Sequence, residues 1–461
     1  MSLLSSLYTG STGLSVNQKG IEVSGNNISN VNTEGYSRQT LELSTTPTLE
    51  FNGQMIGQGS VVTAISRESN NFVLSQLNKK NAEYGEEDAK SLPLTELERI
   101  LGIDDDSLDS DIVDFFDAWQ ELSTNPSGSI ERQQVMQAGE DIANNLQSMV
   151  SDLNATVAGI NDDLDANIVD LNRQLQEIAS LNTQIVSSES TGISANALRD
   201  QRDLLLQEIS EAAGVTYYEE SNGMVSVQLP SGVPLVTADT ANSIETTWVS
   251  GSLELSLTSG ATTVSLDGSD FGGAISGQLE LRDEYIPQLI DQLDQLAYGL
   301  AEAVNSVHNG GIDADGNSGS DFFTYSGGSP DAWSGAASTL TMALNTTSHV
   351  AAGTGSSYLS GDNSNCLNMV DLQDQALVNG NTFSEYYGVI AADVGLEVSQ
   401  NTLALASAED AMVQIENMRD ETSGVSVDEE MLLLTQYQTG YEAAAKYLTT
   451  VDEMLDTLLS M

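Results

Sequence analysis

The sequence predicts a mainly α-helical protein with a β insertion, in which helices at the two ends of the chain pair with each other. Three observations lead to this prediction. Both termini carry apolar residues on a helical lattice, a long central segment carries the same repeat, and one stretch between helices alternates apolar and polar residues. A helix with a single apolar stripe must bury that stripe against a partner. The other terminus is the simplest partner, so the intervening chain becomes a large insertion in a helical stalk.

The C-terminal stripe advances by alternating steps of three and four residues, which is a heptad repeat. Its members are Leu434, Tyr437, Tyr441, Ala444, Leu448, Val451, Leu455 and Leu458. The N-terminal stripe follows the same lattice, with the small or polar residues Gly10, Asn17 and Ser24 at its remaining positions. Its apolar members are Leu3, Leu7, Leu14, Ile21, Ile28 and Val31. We predict that these fourteen residues form a coiled-coil and assembly interface, and we call them the terminal seams.

Four asparagines crowd the predicted end of the N-terminal helix, just before Gly35 and Tyr36. They are Asn26, Asn27, Asn30 and Asn32. Asparagine is unfavourable inside helices and favourable at helix ends and in turns. We call this segment the signature turn, and two interpretations of it stay open. The asparagines form a helix end and turn only, or their amides also hydrogen-bond the bend between two domains or line a channel.

The next segment, residues 36–66, is predicted to be extended because it alternates apolar and polar residues and contains β-branched residues between glycines. Helical periodicity then dominates as far as residue 213. The longest repeat runs from Ile142 to Ile185 in steps of three and four. The acidic residues Asp104, Asp105 and Asp106 are predicted to form a loop. The predicted helices cover residues 68–101, 108–122, 130–186, as one long helix or two, and 194–213.

The pattern changes after Gly214, where Val225, Val227 and Leu229 alternate with polar residues and turn signals recur. Helices are predicted to return at 276–307 and 383–419. Between them lies a region around 309–382 that is rich in Gly and Ser. The predicted domains are a terminal coiled-coil domain of residues 1–35 plus 426–461, a helical domain of residues 36–213 plus 276–425, and an outer β domain of residues 214–275.

The chain is strongly acidic, with 68 Asp and Glu against 14 Lys and Arg in 461 residues. No basic stripe is present that would neutralise nucleic-acid phosphates, and docking to an anionic membrane is disfavoured for the same reason. No apolar run reaches the roughly 20 residues that span a bilayer. We expect a solvated acidic coat, with an acidic face for a basic partner as the alternative. The start, MSLLSSLYTG, lacks the basic region of a signal peptide.

Catalytic signals are weak, so we predict no enzyme activity and no cofactor. The histidines, His308 and His349, lie far apart in the sequence, and no HExxH, P-loop or GxGxxG motif is present. The single cysteine, Cys366, rules out an intramolecular disulfide and is predicted to be a buried or turn residue. Asp313, Asp315 and Asn317 suggest the start of a calcium loop. However, the sixth and twelfth positions of that loop hold Ser318 and Thr324 instead of Gly and Glu, so we predict a polar turn.

The segment SGNNISNVNTEGYSRQ, residues 24–39, resembles the signature of bacterial flagellar rod, hook and hook-associated proteins. Its ending, NT-x-GYSRQ, is most similar to the hook-associated members. Residues 423–461 are similar to the matching C-terminal segment of that family, through DEE, YEAAAKYL and TVDEMLDTLL. Two interior segments, 309–323 and 360–380, also resemble the family, so the likeness covers both ends and part of the interior.

This resemblance implies a structural subunit that joins the flagellar hook to the filament. The terminal helices would form an inner coiled coil that faces a central channel, with a helical domain around it and β modules outside. The implied partners are other copies of the chain in a tube, the hook protein, the second junction protein, and an export chaperone on the C-terminal helix. The implied location is the extracellular flagellum, reached without a cleaved signal peptide. The alternatives are a hook or rod subunit, the second junction protein, or a secreted enzyme or adhesin on a flagellar scaffold.

Overall fold

The computed structural model describes residues 3–51, 54–102, 107–249, 251–259, 262–355 and 361–460. The predicted loop at Asp104, Asp105 and Asp106 lies outside these residues, and so does the side chain of Leu3. The α-helices are α1 (Leu3–Ser29), α2 (Asn71–Leu101), α3 (Leu108–Thr124), α4 (Ser129–Ser190), α5 (Asn196–Ala213), α6 (Gly273–Glu280), α7 (Ile286–Asn309), α8 (Ala336–Thr339), α9 (Ser364–Val370), α10 (Phe383–Ser423) and α11 (Val427–Leu459). A π-helical segment, Leu281–Tyr285, joins α6 to α7.

The strands are short and pair antiparallel in five small sheets within the described residues. They are β1 (Gln39–Thr45), β2 (Leu49–Phe51), β3 (Gln54–Ile56), β4 (Ser60–Arg67), β5 (Thr216–Glu219), β6 (Val225–Gln228), β7 (Pro234–Thr237), β8 (Thr240–Ala241), β9 (Ser243–Val249), β10 (Ser252–Ser259), β11 (Thr262–Leu266), β12 (Phe323–Thr324) and β13 (Thr341–Met342). The predicted class, mainly helical with small β elements, is confirmed. The supercoiling of the terminal helices and the three domain boundaries stay predictions.

The 62-residue helix α4 forms the spine of the molecule. Its apolar residues recur at three- and four-residue steps, so they share one face, and Leu146, Leu153, Leu164 and Leu171 on that face are buried. Along its length, α4 packs against α3, α5, α8, α2 and α7. The predicted helix at 130–186 is confirmed as one continuous helix, which starts one residue earlier, at Ser129, and ends four residues later, at Ser190.

The Gly- and Ser-rich region contributes to this core. Its Phe322 lies 5.6 Å, between ring centroids, from Phe115 of α3, and Trp119 lies 6.1 Å from the same ring. Cys366, which was predicted to be buried or in a turn, is buried in α9 against the carbonyl of Ala352. Two adjacent phenylalanines in an otherwise polar region are the sequence signal for this packing.

The predicted β region, residues 214–275, contains two sheets. One has the strand order β5-β6-β7-β8 and the other β11-β10-β9. Both sheets are hydrogen-bonded to asparagines of α4. Asn182 exchanges two hydrogen bonds with the backbone of Val225, at 3.0 and 2.8 Å, and Asn172 does the same with Ile244, at 2.8 Å each. An asparagine amide can both donate and accept, so it substitutes for a neighbouring strand.

The terminal helix pair and the signature turn

Helices α1 and α11 lie side by side and run antiparallel. Along α1, Gly10 faces Leu448, Gly13 faces Ala444, and Gly20 faces Tyr437. A Cβ atom placed on Gly20 would lie only 2.5 Å from the Tyr437 ring, and one on Gly10 would lie 2.6 Å from Leu448. The backbones therefore approach closely because α1 presents small residues to the larger side chains of α11.

The predicted seam residues occupy different environments in this pair. On α11, Tyr437, Ala444 and Leu448 contact α1, and Val451 is buried. The remaining members of that seam, Leu434, Tyr441, Leu455 and Leu458, are half-buried or exposed. On α1, Leu7, Leu14, Ile21 and Ile28 are half-buried, and Val31 is exposed. The role of both seams in assembly stays a prediction.

Two of the contacting glycines, Gly13 and Gly20, fall outside the predicted N-terminal seam. Glycine weakens a helix interior, so several glycines in one helix require a packing reason. That signal was present in the sequence, since Gly10, Gly13 and Gly20 share one side of α1. The most buried aliphatic side chains of α1 are also off the seam, at Val16 and Val23. Helix α1 lies against the β1–β4 hairpin as well as α11, so it has two packed faces.

The signature turn begins where α1 ends at Ser29. Its Gly35 has φ +75°, a left-handed conformation that glycine adopts without strain. Asn27, which is only 1% exposed, bonds the chain as it returns. Its Oδ1 accepts hydrogen bonds from the Gln39 backbone N–H at 3.0 Å and the Tyr36 hydroxyl at 2.7 Å. Its Nδ2 donates to the Gln39 carbonyl at 2.9 Å.

The other asparagines serve the turn locally. Asn30 Nδ2 donates to the Asn26 carbonyl at 3.0 Å, and Thr33 donates to Asn30 Oδ1 at 3.2 Å. Asn32 is exposed. Asn27 thus bonds the returning chain, whereas Asn26 and Asn30 bond within the end of α1. The roles of these asparagines at a bend between domains or along a channel stay predictions.

The residues that follow Tyr36 extend these contacts to other helices. The Ser37 N–H donates to Asp200 of α5 at 3.2 Å. The Arg38 N–H donates to the carbonyl of Ser423, the last residue of α10, at 2.8 Å. The Arg38 side chain bonds Glu430 of α11 at 2.8 Å and Glu429 at 3.1 Å.

Five consecutive residues, 35–39, therefore connect α1, α5, α10 and α11. Ser37, Arg38, Gln39, Asp200 and Glu430 were not among the predicted site residues. The sequence contained one indication of the contact between the two ends of the chain. An arginine follows Tyr36 within Ser-Arg-Gln, and residues 428–430 are acidic, so opposite charges lie near both termini.

Burial of the Tyr36 hydroxyl raises its pKa to about 12, and the nearby carboxylates of Asp200 and Glu430 add to this shift. The hydroxyl therefore remains a hydrogen-bond donor to Asn27 at neutral pH.

Replacing Asn27 by alanine is expected to destabilise the signature turn by about 2 kcal/mol, because the Gln39 N–H and carbonyl lose a buried partner. Hydrogen–deuterium exchange of the α1 and β1 amides would measure the effect. The matched control is Asn32→Ala, at an exposed position, for which we expect a change within about 0.5 kcal/mol. Equal effects of the two substitutions would show that the hydrogen bonds between Asn27 and Gln39 do not stabilise the signature turn.

A second prediction follows from the Tyr36 pKa. The pKa of Tyr36 in the folded protein is above its ordinary value of 10, so the unfolded chain loses the proton first. The stabilisation is fully present below pH 10 and is lost as the pH rises towards 12. We expect Tyr36→Phe to flatten this alkaline loss of stability, measured by denaturant unfolding at several pH values. Tyr218→Phe, at an exposed position, should leave the loss unchanged.

His308 and Cys366, whose side chains could take part in chemistry, are both buried in the core. Burial lowers the pKa of His308, whose Nε2 accepts a hydrogen bond from the Ala351 N–H at 3.0 Å. Burial raises the pKa of the Cys366 thiol to about 12, so little reactive thiolate forms near neutral pH. Within the described part of the chain, no helix is both long and apolar enough to cross a membrane.

Family models match both ends and the interior of the chain. The model described as "Flagellar hook-associated protein FlgK helical domain" matches residues 94–323. "Flagellar basal body rod FlgEFG protein C-terminal" matches residues 419–461, and "Flagella basal body rod protein" matches residues 7–36. The terminal matches include α11, most of α1 and the whole signature turn, so they coincide with the site described above.

Full-length relatives agree with these matches. The chain is 28% identical to flagellar hook-associated protein 1 of Bacillus subtilis, over 98% of this chain and 97% of the relative. It is 26% identical to the protein of the same name from Salmonella typhimurium, over 98% of both chains. The solved flagellar hook junction protein FlgK of Burkholderia pseudomallei has the same fold, with a TM-score of 0.69, 17% identity, and coverage of 76% of this chain and 100% of that one.

The matched termini and interior define a structural protein of the bacterial flagellum, of the rod and hook class. Within that class, the chain is similar to hook-associated protein 1 over 98% of its length. The resemblance stated from the sequence is thus confirmed.

Proposed function

We propose that this protein joins the flagellar hook to the filament, and that it assembles through the α1–α11 pair. The observation that carries this proposal is the apolar surface that α11 exposes after pairing with α1. Met431, Leu432, Met454, Leu458 and Leu459 are each at least 51% exposed. A large exposed apolar surface on a soluble protein marks an interaction site, and α11 offers five such side chains along one helix.

The size of α11 suits contacts with more than one neighbour. Its 33 residues extend over roughly 50 Å, and the exposed side chains lie near both ends. Each apolar side chain that becomes fully buried contributes about 1.5–3 kcal/mol. Several neighbours in a tube would cover this surface, whereas the contacts within one chain leave it in water.

The relatives support the same role, since they bear the name of hook-associated protein 1 and the solved neighbour is a hook junction protein. We propose other copies of this chain, the hook protein and the second junction protein as partners. The exposed surface of α11 also needs cover before assembly, which an export chaperone on this helix would supply. A chain with one cysteine forms no internal disulfide, which suits export of an unfolded chain to the extracellular flagellum.

A second candidate function is that of a hook or rod subunit, because the family models that match the two termini describe rod proteins. As a hook or rod subunit, the chain would extend into long tubes by itself. As a junction protein, it would add to a hook end and stop. The two functions therefore differ in how far the protein polymerises.

Electron microscopy of the purified protein added to isolated hooks would test the proposal. We expect a short zone of added protein at the hook ends, and none with a variant that lacks residues 426–461. The sharper variant is Leu432→Gln with Leu459→Gln, since both side chains are exposed and neither is among the side chains that face the glycines of α1. Leu92→Gln on α2, which is 79% exposed, is the matched control and should still bind.

Long tubes of the protein alone would favour the hook or rod role. Normal hook binding by the Leu432→Gln, Leu459→Gln variant would show that the exposed surface of α11 is not the interface. A full-length protein that ignores hooks would contradict the function itself.

A further inference from the structure

Two segments of the Gly- and Ser-rich region are held together away from the helix pair. The backbone of Ile312 bridges to Ser318 within its own loop and to Gly353 in the second segment. The Ala314 N–H donates a hydrogen bond to the carbonyl of Ser348 at 2.9 Å. The acidic loop at 313–317 and the segment that carries His349 are thus fixed beside each other by backbone bonds.

This juxtaposition brings three metal-ligating side chains together. One ligand atom each from Asp313, Asp315 and His349 lies within 4.8 Å of the other two. Asp313 is 4% exposed, and its Oδ1 accepts hydrogen bonds from the backbone N–H groups of Asp315, at 3.0 Å, and Asn317, at 2.8 Å. A carboxylate held in this way is already oriented before any ligand binds. Asp315 and His349 are exposed, so an ion can reach them from solvent.

The charge around these donors favours a cation. The sequence has no lysine or arginine between Arg282 and Arg419. Among the described residues, no lysine or arginine forms an ion pair with Asp313 or Asp315. Arg132 reaches the second segment, but it donates to the carbonyls of Pro126, Thr347 and Val350. Two neighbouring carboxylates, one of them buried, therefore lack a basic partner.

We propose that Asp313, Asp315 and His349 bind a divalent first-row transition metal ion, with Zn²⁺ as the first ion to test. Two carboxylate oxygens and one imidazole nitrogen form a mixed ligand set that suits such ions. Calcium prefers six to eight oxygen ligands. The sequence showed only the acidic half of this site, because His349 follows Asp313 by many residues and joins it through the fold. A bound ion would link the two segments across the region.

Isothermal titration of the metal-free full-length protein with Zn²⁺ would test the proposal. The buffer should contain an excess of Mg²⁺, which occupies weak sites on the 68 acidic residues. We expect one tight site per chain. His349→Gln and Asp315→Asn should each weaken it at least tenfold, and both positions are exposed, so the fold should tolerate the changes. Asp239→Asn, an exposed residue in a distant turn, is the matched control and should bind as the natural sequence does.

A second measurement on the unaltered protein removes dependence on the variants. With only two histidines in the chain, ¹³C-labelled histidine gives few ring signals, and one equivalent of Zn²⁺ should shift those of His349. The proposal is overturned if no tight site exists, if all variants bind equally, or if the His349 signals stay in place. Full displacement of Zn²⁺ by millimolar Ca²⁺ would also overturn it, because the site would then consist of carboxylates alone.

Discussion

Replacing Arg38 by alanine is expected to lower the stability of the α11 attachment by about 3 kcal/mol, which corresponds to roughly 100-fold less protection from hydrogen exchange. The reason is that Glu430, which is 1% exposed, would keep a buried negative charge without its partner. Removing one member of a buried ion pair costs far more than the pair contributes as a whole. Exchange of the α11 amides would be followed by mass spectrometry, with α4 as the internal reference.

The chain contains a matched control for this prediction. Glu429 binds the same arginine at 3.1 Å, but its side chain is 63% exposed, so Glu429→Ala should cost less than about 1 kcal/mol. Adding Glu430→Gln to Arg38→Ala should recover part of the loss, since the stranded charge is gone. If Arg38→Ala and Glu429→Ala have equal effects, the buried pair does not hold α11 in place. If the second substitution recovers nothing, the effect of Arg38→Ala comes from lost packing.

Periodicity predicted the helices well because helix packing depends on spacing along the chain. The repeat from Ile142 to Ile185 sufficed to predict α4, since burying one face of a long helix needs only neighbours of its own chain. The β region was less predictable. Asn172 and Asn182 bond its two sheets to α4, and an asparagine on a helix gives no sequence signal of the strand that it bonds.

The position of the signature turn was predictable, but the residues that it contacts were only partly predictable. The asparagines and Gly35 indicate a helix end by their intrinsic preferences. The partners of Ser37 and Arg38 lie far along the chain, at Asp200 and Glu430, and such contacts arise from the tertiary fold. The terminal seams show the same limit. A heptad pattern identifies a helix that needs a partner, but the side that meets the partner depends on what else packs on the helix. On α1, the β1–β4 hairpin competes for that surface.

Replacing Gly20 by alanine is expected to separate α1 from α11 and to prevent addition to hook ends. Alanine is favoured over glycine inside a helix by about 1 kcal/mol, so an α1 that made no close contact would become more stable. In this structure, the added methyl group would lie 2.5–2.6 Å from three atoms of the Tyr437 ring, and overpacking of that kind typically costs 1–3 kcal/mol. The substitution should therefore decrease amide protection in both helices, contrary to its effect on an isolated helix.

Gly13→Ala is the control for this experiment, because its methyl group would lie 3.8 Å from the Cβ of Ala444, an ordinary contact. We expect Gly13→Ala to leave the pair intact or to strengthen it slightly. Combining Gly20→Ala with Tyr437→Ala should cost less than the sum of the two single changes, since the methyl group then meets no ring. Additive losses, or an undisturbed helix pair in Gly20→Ala, would mean that the glycines of α1 do not set the distance between the terminal helices. The proposed assembly would then depend on the apolar residues of the seams alone.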